Sequence, residues 1–144
     1  MLGTVAAGLA TVIAVLAVGT GLGLWWRRRD GRLRPAGYPG ELEDLGVRPG
    51  TPVTLVQFSS AFCAPCRVTR RICEEVAGRF EGVTYLEIDA ESHLDAVRRL
   101  DIWRTPTVLV VDSTGRIVRR ATGTPGKAQV IAVIAALLPA GAAR

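Results

Sequence analysis

Two cysteines separated by two residues, Cys63 and Cys66, are the side chains of this 144-residue chain best suited to covalent chemistry. They follow a β-rich run, Val53 to Phe58, and stand where a segment of helical periodicity begins. A thiol at such a junction faces unpaired backbone N–H groups and the positive end of the helix dipole, which favours the thiolate of Cys63. Cys66, one turn further on, is close enough to attack a mixed disulfide formed at Cys63. The spacing therefore predicts reversible thiol–disulfide exchange.

A pair of cysteines at this spacing also occurs in metal sites, and the chain offers Cys73 and its single histidine, His93, as further ligands. Cys73 belongs to the same helical segment as Cys66, and His93 follows a predicted strand, unlike the paired ligands of zinc sites. We therefore expect no metal and no cofactor. Cys73 is expected to be a small buried residue and His93 to lie at a helix start.

The elements around the cysteines alternate short β-rich runs with helical periods, which is typical of an α/β domain. We expect five strands and three helices, and the pattern locates strands at 53–58, 83–88, 107–111 and 116–121. Helices are expected at the stripe of Val68, Ile72, Val76 and Phe80, after Ser92, and over about 125–138. The nine apolar residues 130–138 are too few to span a membrane and are expected in the core.

The first 26 residues have a different composition. No charged residue occurs from Leu2 to Trp26. A helix formed by this segment is long enough to cross a hydrocarbon layer of roughly 30 Å. Trp25 and Trp26 precede three arginines, as at a membrane interface, whereas a cleaved signal peptide would carry basic residues before a shorter apolar core. We predict an uncleaved single-pass anchor over 1–26. Because arginines collect on cytoplasmic flanks, the C-terminal domain is expected on the cytoplasmic side.

After the anchor, residues 27–44 are expected to form a basic, Gly- and Pro-rich linker, followed by a domain over 45–138 and a tail over 139–144. Residues 27–34 hold five Arg and one Asp, which accounts for most of the net charge of +5. The remainder shows no basic stripe of the kind that a phosphate-binding face requires, so nucleic-acid binding is not expected.

The segment from Val56 to Arg67 resembles the active-site segment of the thioredoxin family, and the resemblance continues in order over roughly 45 to 138. Thr105-Pro106-Thr107 is similar to the family's cis-proline segment. Ile88-Asp89 is similar to the end of its central strand, and Gly123 to the glycine in the loop that borders its substrate groove. The resemblance implies a thioredoxin fold, a central mixed β-sheet flanked by helices, here preceded by one transmembrane helix.

The resemblance also implies roles for particular residues. Cys63 would be the exposed nucleophile and Cys66 the resolving thiol. Pro106 would be cis, and the backbone of Thr105 would pair with an extended substrate segment, with Gly123 at the edge of the same groove. The implied partners are disulfide-containing protein substrates and a thiol reductant or an upstream reductase.

The buried part of the predicted site departs from the family's pattern. The acid that usually precedes the strand phenylalanine is Gln57 here, and the lysine that often partners this acid is Tyr85. A glutamine cannot accept the proton of the resolving thiol. The sequence leaves two acceptors open for that proton, water and Glu87.

The residues around the cysteines differ as well. The family's Trp-Cys-Gly-Pro-Cys is Phe-Cys-Ala-Pro-Cys here, and an earlier tryptophan is Ser59. Because residues between and beside the cysteines tune the reduction potential, we expect Ala64, Pro65 and Arg67, together with Gln57, to set the redox properties. The direction of electron flow stays open.

Three functions are compatible with these patterns. The favoured one is an oxidoreductase that reduces protein disulfides at a membrane surface. An extracytoplasmic domain would instead serve disulfide isomerisation or cytochrome maturation, and a docking module would bind partners without turnover. The presence of both Cys63 and Cys66 favours an enzyme.

Overall fold

A computed structural model of the protein describes residues 2–39, 42–139 and 141, and divides the chain into two compact units, Met1–Asp30 and Gly31–Arg144. The first unit is a single helix, α1, Leu2–Arg29. Within it Gly8–Trp26 has 19 residues and a mean hydropathy of 1.9, so it is a candidate membrane span by length and composition. The Arg29 guanidinium lies 4.0 Å from the centroid of the Trp25 ring, a cation–π contact.

Among the described residues, the second unit contains five strands, three α-helices and a short 3₁₀ helix. The strands are β1 Arg34–Pro39, β2 Val53–Ser59, β3 Val83–Asp89, β4 Thr107–Asp112 and β5 Arg116–Thr122. The helices are α2 Ala64–Ala77, α3 Leu94–Arg99 and α4 Lys127–Leu137, with the 3₁₀ helix at Glu43–Leu45. The strands and helices located from the sequence are therefore confirmed. Their ends differ by one or two residues, except that Phe80, expected on the stripe of the first helix, lies three residues beyond the end of α2.

The five strands form one sheet in the order β1-β5-β4-β2-β3. β2 and β3 are parallel, and the other neighbouring pairs are antiparallel, so the sheet is mixed. One face carries a core that includes Phe58 and Ile117 and packs on Ala96 of α3. The other face includes Leu55 and packs on α2 and α4. The mixed sheet flanked by helices is the architecture that the sequence predicts.

Helix α4 supplies Val130 and Ile134 to the core, both fully buried. The expected core packing is thus confirmed for one face of this apolar stretch, whereas its alanines, Ala132, Ala135 and Ala136, are exposed. Helix α2 differs in detail, because Val68 is 52% exposed and the buried face consists of Cys66, Thr69, Cys73 and Val76. Steps of four residues advance about 400° around a helix, so a stripe drawn at that spacing drifts off the core side.

Residues 34–39 correct the predicted linker. They form an edge strand, β1, which pairs antiparallel with β5 and carries Pro35 and Pro39. Proline cannot donate a ladder hydrogen bond and is confined to edge strands, where one side of the backbone is unpaired. The same residues that indicate a loop in the sequence are therefore compatible with the edge of this sheet.

The second unit begins at Gly31, which packs against the loop after β5. Gly31 has a φ of 76° and its N–H donates to Thr122 O at 2.7 Å. A Cβ at this position would lie 1.9 Å from Thr124 O, so the close approach requires glycine.

Candidate active site

The two cysteines of the predicted pair lie at the junction of β2 and α2. They form a disulfide, and Cys63 is the N-cap residue of α2. Its Sγ accepts a hydrogen bond from the Cys66 N–H at 3.2 Å, as expected for an atom at the unpaired N–H groups of a helix start. Cys63 is partly exposed, whereas Cys66 is 2% exposed. One sulfur therefore faces solvent and the other faces the domain interior.

The residues between and after the cysteines occupy the first turn of α2. Ala64 is the first residue of the helix, and Pro65 follows in the same turn, where its missing N–H leaves no helical bond unmade. Ala64, Pro65 and Arg67 are all exposed. They are therefore accessible next to the two cysteines in the chain.

The predicted substrate-binding residues lie on the neighbouring strand ends. The Thr105–Pro106 peptide bond is cis, as the sequence predicts. It immediately precedes β4, and Thr107 of β4 stands opposite Phe58 of β2. The N–H of Gly123 donates to Pro106 O at 2.7 Å. The fold thus gathers Thr105, Pro106 and Gly123 at the sheet end from which the cysteine loop emerges.

Hydroxyl contacts that the sequence does not predict join these loops. Ser60 Oγ and Thr105 Oγ1 are 3.0 Å apart and hydrogen-bonded, which links the cysteine loop to the cis-proline loop. The Thr69 hydroxyl donates to Pro65 O at 3.0 Å, one helical turn back, and lies 3.0 Å from the Thr124 hydroxyl. A threonine within a helix is compatible with such a bond, but the pairing with Thr124 follows only from the tertiary fold.

A neutral hydrogen-bonded pair lies beneath Cys66. Gln57 is fully buried in β2, and its Nε2 donates to Cys66 O at 3.0 Å. The Tyr85 hydroxyl donates to Gln57 Oε1 at 3.1 Å. Burial, reinforced by the nearby Glu87 charge, raises the pKa of Tyr85, so this residue is a neutral donor. The two residues that stand in place of the family's acid and lysine are therefore in direct contact.

Glu87, the other proton acceptor considered from the sequence, lies in a cleft beside the disulfide. Its carboxylate forms an ion pair with Arg70 at 2.7 Å. The cleft has a volume of about 440 Å³ and its lining includes Cys63, Cys66 and Glu87. The buried sulfur is thus connected to an open, polar space on the β3 side of the site.

The two residues considered as additional metal ligands occupy separate positions. Cys73 is a buried free thiol in α2, and burial raises its pKa to about 12. His93 is the exposed N-cap residue of α3, and its Nδ1 lies 3.0 Å from Asp89 O. Their expected places, in the core and at a helix start, are confirmed.

The geometry of a cysteine pair at a helix start beside a cis-proline agrees with comparisons to known proteins. The thioredoxin family model matches residues 45–136. Thioredoxin H2-1 of Oryza sativa subsp. japonica is 30% identical over 71 residues, which cover 47% of this chain and 51% of the rice protein. Thioredoxin of Mycobacterium tuberculosis is 28% identical over 86 residues, which cover 59% of this chain and 73% of its own length.

Solved structures give the same fold. Chloroplastic thioredoxin z superposes with a TM-score of 0.58 at 23% identity, over 69% of this chain and 90% of its own. A mutant thioredoxin from Halobacterium salinarum superposes with a TM-score of 0.59 at 17% identity, over 70% and 90% of the two chains. Thioredoxins are thiol–disulfide oxidoreductases, and this chain belongs to the thioredoxin family. The matched region spans about half of the rice relative, so that protein's own substrates are not carried over.

Proposed function

We propose that the protein reduces disulfides in protein substrates at a membrane surface, with Cys63 as nucleophile and Cys66 as resolving thiol. The observation that carries this proposal is the position of the two sulfurs. Cys63 is partly exposed at the helix start, next to the loop of Thr105 and Pro106, whereas Cys66 is buried behind it. A substrate disulfide reaches the first sulfur and not the second.

The reaction starts from the dithiol. The Cys63 thiolate attacks one sulfur of the substrate disulfide, which forms a mixed disulfide and releases the other substrate sulfur as a thiolate. The Cys66 thiolate then attacks Cys63 Sγ, forms the Cys63–Cys66 disulfide and releases the second substrate thiol. Two electrons pass to the substrate, and the two protons of the dithiol end on the substrate thiols. A thiol reductant or an upstream reductase restores the dithiol.

Two groups assist the first attack by position. The N–H of Cys66 points at Cys63 Sγ, so it stabilises negative charge on that sulfur. The Thr105 hydroxyl is bonded to Ser60 of the cysteine loop, and the Thr105 backbone would pair with an extended substrate segment. Gly123 and Pro106 form the adjoining edge of the groove.

The proton of Cys66 leaves through the cleft rather than through the buried pair. Gln57 is a donor to Cys66 O and is already paired with Tyr85, so it offers no basic atom. The cleft that reaches Cys66 is open to solvent and includes Glu87. Water in this cleft, with Glu87 as the nearby carboxylate, is the proposed acceptor.

Trapping tests the proposed chemistry. In membranes from cells that express the full chain, Cys66→Ser should accumulate mixed disulfides between Cys63 and substrate proteins, seen as bands that reductant abolishes. The Cys63→Ser/Cys66→Ser double variant is the matched control and should trap none. Mass spectrometry of the trapped bands identifies the substrates. If no mixed disulfide forms, and thiol tagging shows no joint oxidation of the pair, the docking-module alternative replaces the proposal.

The membrane location rests on α1 and on where the chain enters the second unit. The candidate span ends at Trp26, and the second unit begins at Gly31, so the proposed tether is short. Gly31 is bonded to Thr122, next to the loop that carries Gly123. The chain therefore enters the second unit next to the loop that carries Gly123, and a short tether would keep this unit at the membrane surface.

Extraction and protease protection test this part. An uncleaved anchor should keep the chain in the membrane fraction at alkaline pH with its N-terminal segment intact by mass. On the cytoplasmic side, which the flanking arginines favour, the second unit should resist protease in intact cells and be digested after permeabilisation. Loss of the first residues would indicate a signal sequence, and digestion in intact cells would favour the extracytoplasmic alternative.

A further inference from the structure

Trp103 is a large aromatic side chain that the second unit leaves in solvent. It is 86% exposed, although tryptophan is normally well covered in a folded domain. The other large hydrophobic residues exposed among the described residues of this unit are Phe62, Val68 and Leu94. Exposed aromatic side chains of this kind indicate a binding surface when they lie together near a site.

The loop that carries Trp103 is held in a fixed form. Its indole Nε1–H donates to the Asp101 carboxylate, and Asp101 itself has a φ of 53°, which is uncommon for a residue other than glycine. Arg120 of β5 donates to Leu100 O at 2.7 Å and to Asp101 O. The exposed ring is thus positioned before any partner arrives, so little conformational entropy is lost when it is covered.

The loop contacts place this ring near the proposed groove. Trp103 is two residues before Thr105, and two residues of extended backbone span at most about 7 Å. Thr105 is hydrogen-bonded to Ser60, and Phe62, two residues after Ser60, immediately precedes Cys63 and is fully exposed. The two exposed aromatic rings therefore come from two loops that meet beside the reactive sulfur.

We propose that Trp103 is a specificity-determining residue, which contacts a large apolar side chain next to the cysteine of an extended substrate segment. This inference rests on the proposed disulfide exchange and names the kind of substrate that the site prefers. The substrate segment pairs with the backbone of Thr105, and its flanking aromatic or aliphatic side chain covers the indole. A polar side chain at the same place leaves that surface uncovered, so the reaction with Cys63 is slower.

Matched peptide disulfides test the proposal on the reduced full chain in detergent micelles. Each peptide carries one cysteine in a mixed disulfide with thionitrobenzoate, and the two peptides differ only in a Phe or a Ser beside that cysteine. Attack of Cys63 on the peptide sulfur releases thionitrobenzoate, which is followed by its absorbance, and Cys66 then displaces the peptide thiol. We expect the native chain to react roughly tenfold faster with the Phe peptide.

The ratio of the two rates is the deciding readout, because damage to the fold lowers both rates and leaves their ratio unchanged. Trp103→Ala should bring the ratio close to one, and Trp103→Phe should keep most of the preference. An unchanged ratio in Trp103→Ala, with or without a general loss of rate, would overturn the proposal. If the native chain released no thionitrobenzoate from either peptide, the proposed function itself would fail, and the inference with it.

Discussion

The two sides of the disulfide differ in how closely they follow the thioredoxin pattern. On the outer side, Thr105, Pro106 and Gly123 keep the expected residue types and lie together. On the inner side, Gln57 and Tyr85, which the resemblance places where the family has an acid and a lysine, form a neutral hydrogen-bonded pair. The contacts that would receive a substrate are therefore retained, whereas the group that would take up a proton is not.

Under the proposed function, substrate binding and proton transfer make separate demands on this site. The outer side uses backbone atoms and short hydroxyls of partly exposed residues, among them Ser60, Thr105 and Gly123, so water can satisfy polar atoms that remain unpaired. The inner side is buried, so each polar atom needs a protein partner, and a carboxylate there would be costly without a close cation. Gln57 and Tyr85 satisfy each other and Cys66 O without any charge.

Restoring the inner acid should have the largest effect. Gln57→Asp places a carboxylate beneath Cys66, and as a general base it should speed the attack of Cys66 on the mixed disulfide by roughly ten- to a hundredfold near neutral pH. Rapid-quench analysis of a preformed mixed disulfide at Cys63 measures this step. Gln57→Asn, equal in size and neutral, is the control, and an equal gain in that variant would show that charge is not the cause.

The same variants differ in stability in a predictable direction. Burial raises the pKa of an introduced carboxyl above its unfolded value near 4, so folding holds its proton more tightly. The free energy of unfolding of Gln57→Asp, relative to Gln57→Asn, should fall as pH rises from about 4 through the folded-state pKa.

The sequence predicted the outer side well because its features are local. A β-rich run, a Cys-x-x-Cys and a proline before another strand each leave a pattern within ten residues, and the strands and Cys63 lie where these patterns indicate. The Ser60–Thr105 and Thr69–Thr124 contacts join residues 45 and 55 positions apart, so they depend on strand order. β1 was missed because its prolines indicate a loop unless the edge position is known.

Removing one hydroxyl from the inner pair gives the next largest effect. Tyr85→Phe leaves Gln57 Oε1 buried without its donor, which should lower the free energy of unfolding by about 1–2 kcal/mol in urea titrations. In a Gln57→Leu background no acceptor remains, so the same change should cost much less. Equal costs in the two backgrounds would show that the hydrogen bond does not stabilise the fold.

Alkaline pH tests the inner side in the native sequence. Burial raises the pKa of Cys73 from about 9 to about 12, so the folded state keeps a proton that the unfolded chain releases. The stabilising contribution is complete below pH 9 and is lost as pH rises toward 12, by up to about 1 kcal/mol per pH unit. Unfolding of oxidised Cys73→Ala, compared with the native chain between pH 8 and 11, measures how much of this slope depends on the Cys73 thiol. If the free energy of unfolding depended on pH in the same way in both chains, the raised pKa of Cys73 would be contradicted.

The smallest effect is expected on the outer side. Ser60→Ala removes a partly buried bond to Thr105. Both residues are partly exposed, so water can replace the lost partner and the free energy of unfolding should fall by less than about 1 kcal/mol. The looser cis-proline loop should lower kcat/KM for a peptide disulfide about threefold, since its backbone is less well placed for the first attack. Ser92→Ala, which removes a hydroxyl bonded to Asp89, is the matched control.

Substitutions on the two sides should change different steps of the reaction. Ser60→Ala should slow formation of the mixed disulfide at Cys63 and leave its resolution by Cys66 unaltered, whereas Gln57→Asp should act on resolution alone. Quenched-flow measurement of both steps in both variants makes the comparison directly. A Ser60→Ala variant that slowed resolution as much as attack would mean that the outer loops also position Cys66, and that binding and proton transfer are not separable in this domain.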